Sequence, residues 1–264
     1  MNVLRRGVLE STDIAAIVEH FVAHGYARVG QIATDETVSA LQQRTDDLMM
    51  GRVVHEGLFF QHDSETGRYD DLPYGKGWEG PSLNYRKLEK LELDPLFREW
   101  LRNPLFERIA RALLPGSITL YRAAVFNKSA RGGSDLPWHQ DAGKFWGVDR
   151  DPQLQIWTAL DDVPVEAGAV EVMPDTHLAG LVTPPGGVVP AERVAAYGHA
   201  NDVVTLPVRA GESLLIHNLV WHRSGRNFSG HPRRALTLCY MDGKTRCLRK
   251  KHAPRQFFEV WPAP

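Results

Sequence analysis

The chain has 264 residues, with 31 Lys and Arg against 32 Asp and Glu, a formal net charge of -1. That balance argues against a nucleic acid or an anionic membrane surface as the main partner. No apolar run is long enough to cross a bilayer, and two cysteines make no disulfide framework, so a reducing cytoplasmic compartment is expected.

The opening Met1-Asn2-Val3-Leu4-Arg5-Arg6-Gly7 is basic but lacks the apolar core of a secretion signal. Ser11-Thr12-Asp13 offers an N-cap to a helix carrying Ile14, Ile17, Val18, Phe21 and Val22 at helical spacing. Gly25 suits the position just past its end, and Tyr26-Ala27-Arg28-Val29 reads as a short strand. Asp35-Glu36 caps a second helix with Val38, Leu41 and Leu48 on one face. Residues 51–84 are rich in Gly, Asp and aromatic residues (Phe59, Phe60, Tyr69, Tyr74 and Trp78 among them) without a period, which is expected of a lid loop. Residues 95–114 are helical again, interrupted near Asn103-Pro104.

The texture changes after Gly116. Segments 118–127, 153–163, 169–173, 202–208, 212–218 and 235–241 are short, β-rich and separated by Gly, Pro or Asp turns. Helices followed by many strands at regular spacing predict a mainly β fold, an antiparallel barrel or jelly roll carrying N-terminal helices. With no repeat or linker, residues 1–264 read as one domain, 1–115 mostly helical and 116–245 the β core.

Two motifs carry chemistry. In Trp138-His139-Gln140-Asp141, the histidine and the carboxylate at i and i+2 share one face of an extended strand. Pro137 before the pair and Gly143 after it place it at a strand end. A later strand, Trp221-His222-Arg223-Ser224-Gly225-Arg226-Asn227, can supply a second histidine. Two His and one carboxylate, with the opposite positions open, form the facial triad of non-haem Fe(II) oxygenases. His217 is the competing distal histidine, since it too sits on a late strand.

These motifs form an ordered set with Phe21-Val22-Ala23-His24-Gly25-Tyr26, Ile156-Trp157-Thr158-Ala159-Leu160-Asp161-Asp162-Val163 and Glu166-Ala167-Gly168-Ala169-Val170. Val172-Met173-Pro174-Asp175-Thr176-His177, Ala210-Gly211-Glu212-Ser213-Leu214-Leu215-Ile216-His217 and Pro232-Arg233-Arg234-Ala235 complete it. Over most of its length the chain resembles the phytanoyl-CoA dioxygenase family of Fe(II)/2-oxoglutarate oxygenases. It departs at Asp175-Thr176, where the family usually shows Gly-Ser before the histidine. The resemblance implies a double-stranded β-helix, the cupin-like jelly roll.

It also implies roles. His139, Asp141 and His222 match the catalytic iron ligands; His217 is then a strand histidine with a satisfied hydrogen bond. Arg233 lies eleven residues after His222, the family's spacing for the arginine that grips the distal carboxylate of 2-oxoglutarate. A planar guanidinium can do so through two parallel hydrogen bonds. The neighbouring Arg234 points to the other strand face, as surface charge. Ser224 adds a hydroxyl to the same carboxylate, and Trp157 lines the cosubstrate pocket. Arg122 is expected to reach the cosubstrate, and Lys87 or Arg86 its metal-side carboxylate. Asn127, Lys144, Phe145, Trp146 and Trp221 flank the metal motifs as substrate-pocket candidates. His20, His24, His55, His62, His199, His231 and His252 show no ligand pattern.

The implied activity uses Fe(II), 2-oxoglutarate and O2 to hydroxylate an unactivated C–H of a small organic substrate, releasing succinate and CO2. Asp141 argues against halide-transferring relatives, in which a small residue makes room for chloride. No basic cluster demands a CoA pyrophosphate, and no obligate protein partner is evident. Two alternatives stand beside this reading: a cupin-like metalloenzyme independent of 2-oxoglutarate, and a non-catalytic jelly roll that binds a small molecule.

Overall fold

The computed structural model describes residues 13–130, 132–197, 203–250 and 255–264. The Ser11-Thr12 part of the first cap, the basic opening segment, the 202 end of one expected strand, His199 and His252 lie outside those residues. Helix α1 (Ile14–His24) starts on Asp13, whose carboxylate accepts from the Ala16 N–H at 3.1 Å. It stops at Gly25 with φ 78°, where a Cβ would stand 2.7 Å from the His177 ring. Helix α2 (Asp35–Met49) is capped by Thr34, one residue before the expected Asp35, because the extended backbone at Thr34 turns its hydroxyl onto the Thr37 N–H. Asp35 and Glu36 instead occupy the first turn, at the positive end of the helix dipole. Helices α3 (Pro95–Trp100) and α4 (Pro104–Leu113) each open on proline after an Asp94 or Asn103 cap, which is why the helical stretch breaks between them.

Thirteen strands occur among the described residues: β1 (Tyr26–Gln31), β2 (Phe59–His62), β3 (Tyr85–Glu89), β4 (Ile118–Lys128), β5 (Leu136–Gln140), β6 (Leu154–Ala159), β7 (Val170–Met173), β8 (Gly187–Val188), β9 (Val204–Leu206), β10 (Glu212–His217), β11 (Trp221–Ser224), β12 (Arg233–Asp242) and β13 (Phe258–Trp261). A further helix, α5 (Ala191–Tyr197), lies between β8 and β9. The major sheet runs β1-β10-β6-β12-β4-β3-β2, with β13 also on β4; the minor sheet runs β8-β5-β11-β7-β9. The fold is a jelly roll.

Two expectations are corrected. Residues 51–84 are not a structureless loop: Phe59–His62 extends the major sheet against β3, and Phe60 exchanges two 2.7 Å backbone hydrogen bonds with Lys76. Four residues are too few to display a period, so the strand is hidden among its turns. The N-terminal part also supplies strands, since β2 and β3 join the major sheet at the edge opposite β1.

Strand alternation builds two apolar layers. On one face of the major sheet, Leu154, Ile156, Leu236, Leu238 and Tyr240 pack with Phe97, Leu101, Phe106 and Ile109 of the helical layer. On the other, Trp157, Ala159, Leu214, Ile216 and Ala235 meet Val170, Val172 and Leu206 of the minor sheet. Arg234 points into the first layer and is buried, not the surface charge expected, because helices cover the outward face of β12. Its guanidinium binds both Asp161 oxygens, at 2.7 and 2.9 Å, and Asp46 of α2 at 2.7 Å. No helix among the described residues is long and apolar enough to cross a membrane.

Asp161→Ala strands this guanidinium with one carboxylate. Removing one partner of a buried pair costs about 3 kcal/mol or more, so urea denaturation should show a loss of that size; a loss below about 1 kcal/mol would show that the pair behaves as a surface contact.

Candidate metal centre

Strands β5 and β11 are antiparallel neighbours, and their register sets His139 directly opposite His222. The two rings stand 4.0 Å apart between centroids. Asp141 follows the last residue of β5, where its backbone N–H donates to Asn218 O and Asn218 Nδ2 donates back to Asp141 O, each at 2.8 Å. This double tie ends the strand and fixes the carboxylate beside the histidines. His139 Nε2 lies 3.9 Å from Asp141 Oδ1, and His222 Nε2 lies 3.7 Å from Oδ2. Among the described residues, these three are the one group of His, Cys, Asp or Glu close enough to share a metal ion, their donor atoms lying within 4.8 Å of one another.

The protonation of the set suits a divalent metal. A carbonyl can only accept, so His139 Nδ1–H donates to Pro137 O at 2.9 Å and His222 Nδ1–H to Val220 O at 3.0 Å. Both Nε2 lone pairs are thereby free to face the shared space. Burial, and then the neighbouring His222, pushes the His139 pKa down to about 3, so the ring is neutral. Burial alone would raise Asp141, but the Arg122 charge and hydrogen bonding hold it ionised, well below the usual carboxylate range. Two imidazoles with inward-facing Nε2 atoms and one carboxylate fit Fe(II).

Period two along β11 turns His222 and Ser224 inward and Trp221 outward. Trp221 packs with Trp138, Met173 and Val189 on the far side of the minor sheet, away from the triad's face, which is not the place expected of a substrate-pocket residue. His217 lies at the end of β10, where Nδ1 accepts from Leu219 N–H at 3.0 Å and the ring neighbours His177, 4.9 Å away.

Arg233 is 3% exposed, on the inward face of β12, with its guanidinium 5.2 Å from the Trp157 ring. It donates through Nη2 to Gly168 O at 2.8 Å, while its buried Nε finds no partner. No carboxylate among the described residues pairs with it. Burial pushes its pKa down to about 10, with Asp161 opposing and Arg86 reinforcing the shift. Ser224 is buried near this end of β11, its carbonyl 3.5 Å from Lys128 Nζ. A buried fork with an orphaned donor is a fit for an anionic ligand such as the distal carboxylate of 2-oxoglutarate.

The remaining candidates scatter. Arg122 reaches Asp141 Oδ2 at 3.2 Å. Lys87 sits on a strand, ion-paired with Glu89, and is not a helix-end charge. Asn127 is buried and donates to Leu83 O and Tyr85 O, tethering the segment before β3. Lys144 and Phe145 are exposed, whereas Trp146 is buried and stacked on Tyr121 at 4.3 Å. A cavity of about 640 Å³ beside the metal loop takes in Lys144, Val148, Arg150, Leu181 and Arg249 but no triad residue. Sequence reasoning missed Gln155 and Asn218, which both bind Asp141. Gln155 was detectable as a polar residue two before Trp157 on a strand buried throughout.

The phytanoyl-CoA dioxygenase (PhyH) family model matches residues 21–235, and the chain belongs to that family. It is 31% identical over 157 residues to phytanoyl-CoA dioxygenase domain-containing protein 1 of Mus musculus, a match covering 56% of this chain and 54% of that protein. Thus the chain spans about half the length of such curated relatives. It is 30% identical over 172 residues to L-proline trans-4-hydroxylase of Streptomyces griseoviridis, covering 56% of this chain and 64% of the hydroxylase. Its fold matches EctD from S. alaskensis, solved with 2-oxoglutarate and 5-hydroxyectoine, at TM-score 0.72 and 19% identity, over 100% of this chain and 90% of that one.

Co(II) titration should separate the two distal histidines: His222→Ala abolishes binding, and His217→Ala leaves it near wild type. The reverse pattern would move the site to His217. A second expectation concerns acid. Burial, and then His177, holds His217 down at about 4. The unfolded chain therefore takes up this proton first, and stability is lost as pH falls below about 6.5, by at most about 1.4 kcal/mol per unit. By NMR the His217 ring should stay neutral from pH 8 to about 5; a midpoint near 6.5 would contradict the burial.

Proposed function

We propose that this chain is an Fe(II)- and 2-oxoglutarate-dependent dioxygenase that hydroxylates an unactivated C–H of a small organic substrate, releasing succinate and CO2. The observation that carries the reading is the pairing of two sites in one interior. A His, His, carboxylate set shares the jelly-roll interior with a buried arginine that has no carboxylate partner among the described residues. A jelly roll that only bound a small apolar molecule would have no use for either.

His139, Asp141 and His222 would hold Fe(II), which supplies O2 activation coupled to oxidative decarboxylation of 2-oxoglutarate. Arg233 orients the cosubstrate by gripping its distal carboxylate, with the Ser224 hydroxyl as a second donor. Trp157 lies against the Arg233 guanidinium and stiffens it. Ala235, Val170 and Val172 keep that end of the interior dry, which strengthens the charge-assisted hydrogen bonds. The Asn218 ties and the His139 and His222 Nδ1–H bonds hold the donors in place before anything binds.

The proline hydroxylase among the relatives supports hydroxylation of a small molecule. The reading takes residues 1–264 as one oxygenase domain, supported by β1, β2 and β3 being strands of the same sheet as β4, β6, β10 and β12. It places the enzyme in the cytoplasm, supported by two unpaired cysteines, Cys239 and Cys247.

Anaerobic titration with Fe(II) and then 2-oxoglutarate should give the weak visible charge-transfer band of a chelated keto acid. Arg233→Ala should raise the 2-oxoglutarate Kd by about 10–100-fold, the worth of one or two charged hydrogen bonds. A bound metal with no band, and an Arg233→Ala variant with unchanged behaviour, would favour a metalloenzyme independent of 2-oxoglutarate.

A further inference from the structure

We propose that Lys128 is a second cation of the anion site at Arg233, so that the interior grips a carboxylate between an ammonium and a guanidinium. The proposal rests on the cosubstrate reading above. Lys128 is the last residue of β4, and the register between β4 and β12 sets it directly opposite Arg233. Residues paired in this way point to one face of the sheet, so both side chains enter the interior. Lys128 is 6% exposed and Arg233 3%. Among the described residues both donate to backbone carbonyls and neither forms an ion pair. Like charges directly opposite each other destabilise a sheet, and burial adds the cost of desolvation. An anion held between the two offsets both costs.

The free donors match such a ligand. An ammonium carries three. Lys128 Nζ donates to Ser134 O and stands 3.5 Å from Ser224 O, which leaves one donor without a partner among the described residues. Arg233 contributes its orphaned Nε. The carboxylates of the neighbouring loops are turned elsewhere. Asp63 accepts from Ser64 N–H at 2.9 Å and from Ser134 N–H at 3.1 Å, and Asp135 accepts from Tyr69 N–H at 2.9 Å. Burial, then Arg233 and Arg86, press the Lys128 pKa well below the ordinary lysine range, against the opposing pull of Asp63 and Asp135. A carboxylate bound beside Nζ relieves that pressure and keeps the proton on it. Gly133, at φ 47°, lays its loop directly on the lysine stem, since a Cβ there would stand 2.6 Å from Lys128 Cβ. The next pair on the same strands is the contrast: Arg234 faces Asn127 across the ladder, and Asp161 and Asp46 meet its charge.

The test compares two keto acids on the full Fe(II)-loaded chain without oxygen, read by the visible charge-transfer band. 2-Oxoglutarate carries the distal carboxylate; 2-oxopentanoate has the same chain with a methyl end. Lys128→Met should weaken 2-oxoglutarate by about 10-fold or more, the worth of one charged hydrogen bond, and leave 2-oxopentanoate near wild type. Lys128→Gln, which keeps a donor for Ser134 O but no charge, should behave alike. Lys244→Met, on the surface, should change neither. A lysine that only tethers its loop would weaken both acids equally, and that result would overturn the proposal. So would full discrimination in a folded Lys128→Met variant with discrimination lost in Arg233→Ala, which leaves the cosubstrate reading standing. Failure of both Lys128 variants to fold would mark the side chain as a structural tether and overturn it as well. A wild-type chain that gives no band, or binds both acids equally, would overturn the cosubstrate reading and this proposal with it.

Discussion

The antiparallel pairing that sets His139 against His222 is the constraint on which the rest of the site depends. Two donors from residues 83 positions apart in the chain share a few ångströms because a sheet register puts them there. Register is a global property: a slip of one residue in either strand would turn its histidine to the outer face, where Trp138 and Trp221 now pack. That outer aromatic layer therefore supports the metal site without touching it. Burying Trp138 and Trp221 on one side of β5 and β11 is what commits His139 and His222 to the other. Gln140 adds a lock on the same strand, donating to Gly180 O and Leu219 O and accepting from Val182 N–H.

Charge distribution divides the interior in a second way. Arg233 and Arg234 are adjacent on β12 and equally hidden, yet they face opposite layers with opposite fates. Arg234 takes both oxygens of Asp161 and one of Asp46. Arg233 keeps only a backbone carbonyl, and that carbonyl belongs to Gly168, whose positive φ and close approach to Gly225 O leave no room for a Cβ. Leaving a guanidinium buried with an unmet donor is costly. That contrast, a buried guanidinium with no carboxylate partner among the described residues beside a neighbour that has two, is what supports the ligand-binding role proposed for Arg233.

Much of this was legible in the residues, for physical reasons that differ between elements. His139 and Asp141 are recognisable because i, i+2 spacing on a strand has one geometric consequence. Gly25 and the prolines after Asp94 and Asn103 mark helix boundaries because backbone stereochemistry leaves little choice there. What escaped was whatever depends on a partner far away in sequence. Arg234 resembles a surface charge until α2 and Asp161 close over it. Trp221 resembles a pocket residue until alternation turns it outward. Lys87 is a different case, since its partner Glu89 is only two residues on along β3 and the strand itself brings the pair to one face. The strand at Phe59–His62 was hidden because its pairing with β3, not its own pattern, makes it a strand.

These placements bear on what kind of substrate the interior suits. From β2 across β3 and β4 to the segment after β5, aromatic rings and cations alternate: Phe59 with Lys87, Lys87 with Phe126, Phe126 with Arg122, Arg122 with Trp146. Two of the cations here are already answered, Lys87 by Glu89 and Arg122 by Asp141, while Arg86 on the same strand as Lys87 has no ion pair among the described residues. An added anion at Lys87 or Arg122 would have to displace an internal carboxylate, whereas no carboxylate among the described residues pairs with Arg233. The anionic end of the interior is thus the Arg233 end, and the run near Arg122 offers ring faces and neutralised pairs. Under the proposed reading, the cosubstrate goes where charge is unanswered. The carbon to be hydroxylated is then held by shape and aromatic contact more than by a counter-charge, which suits a small organic substrate without a strong charge near its reacting carbon.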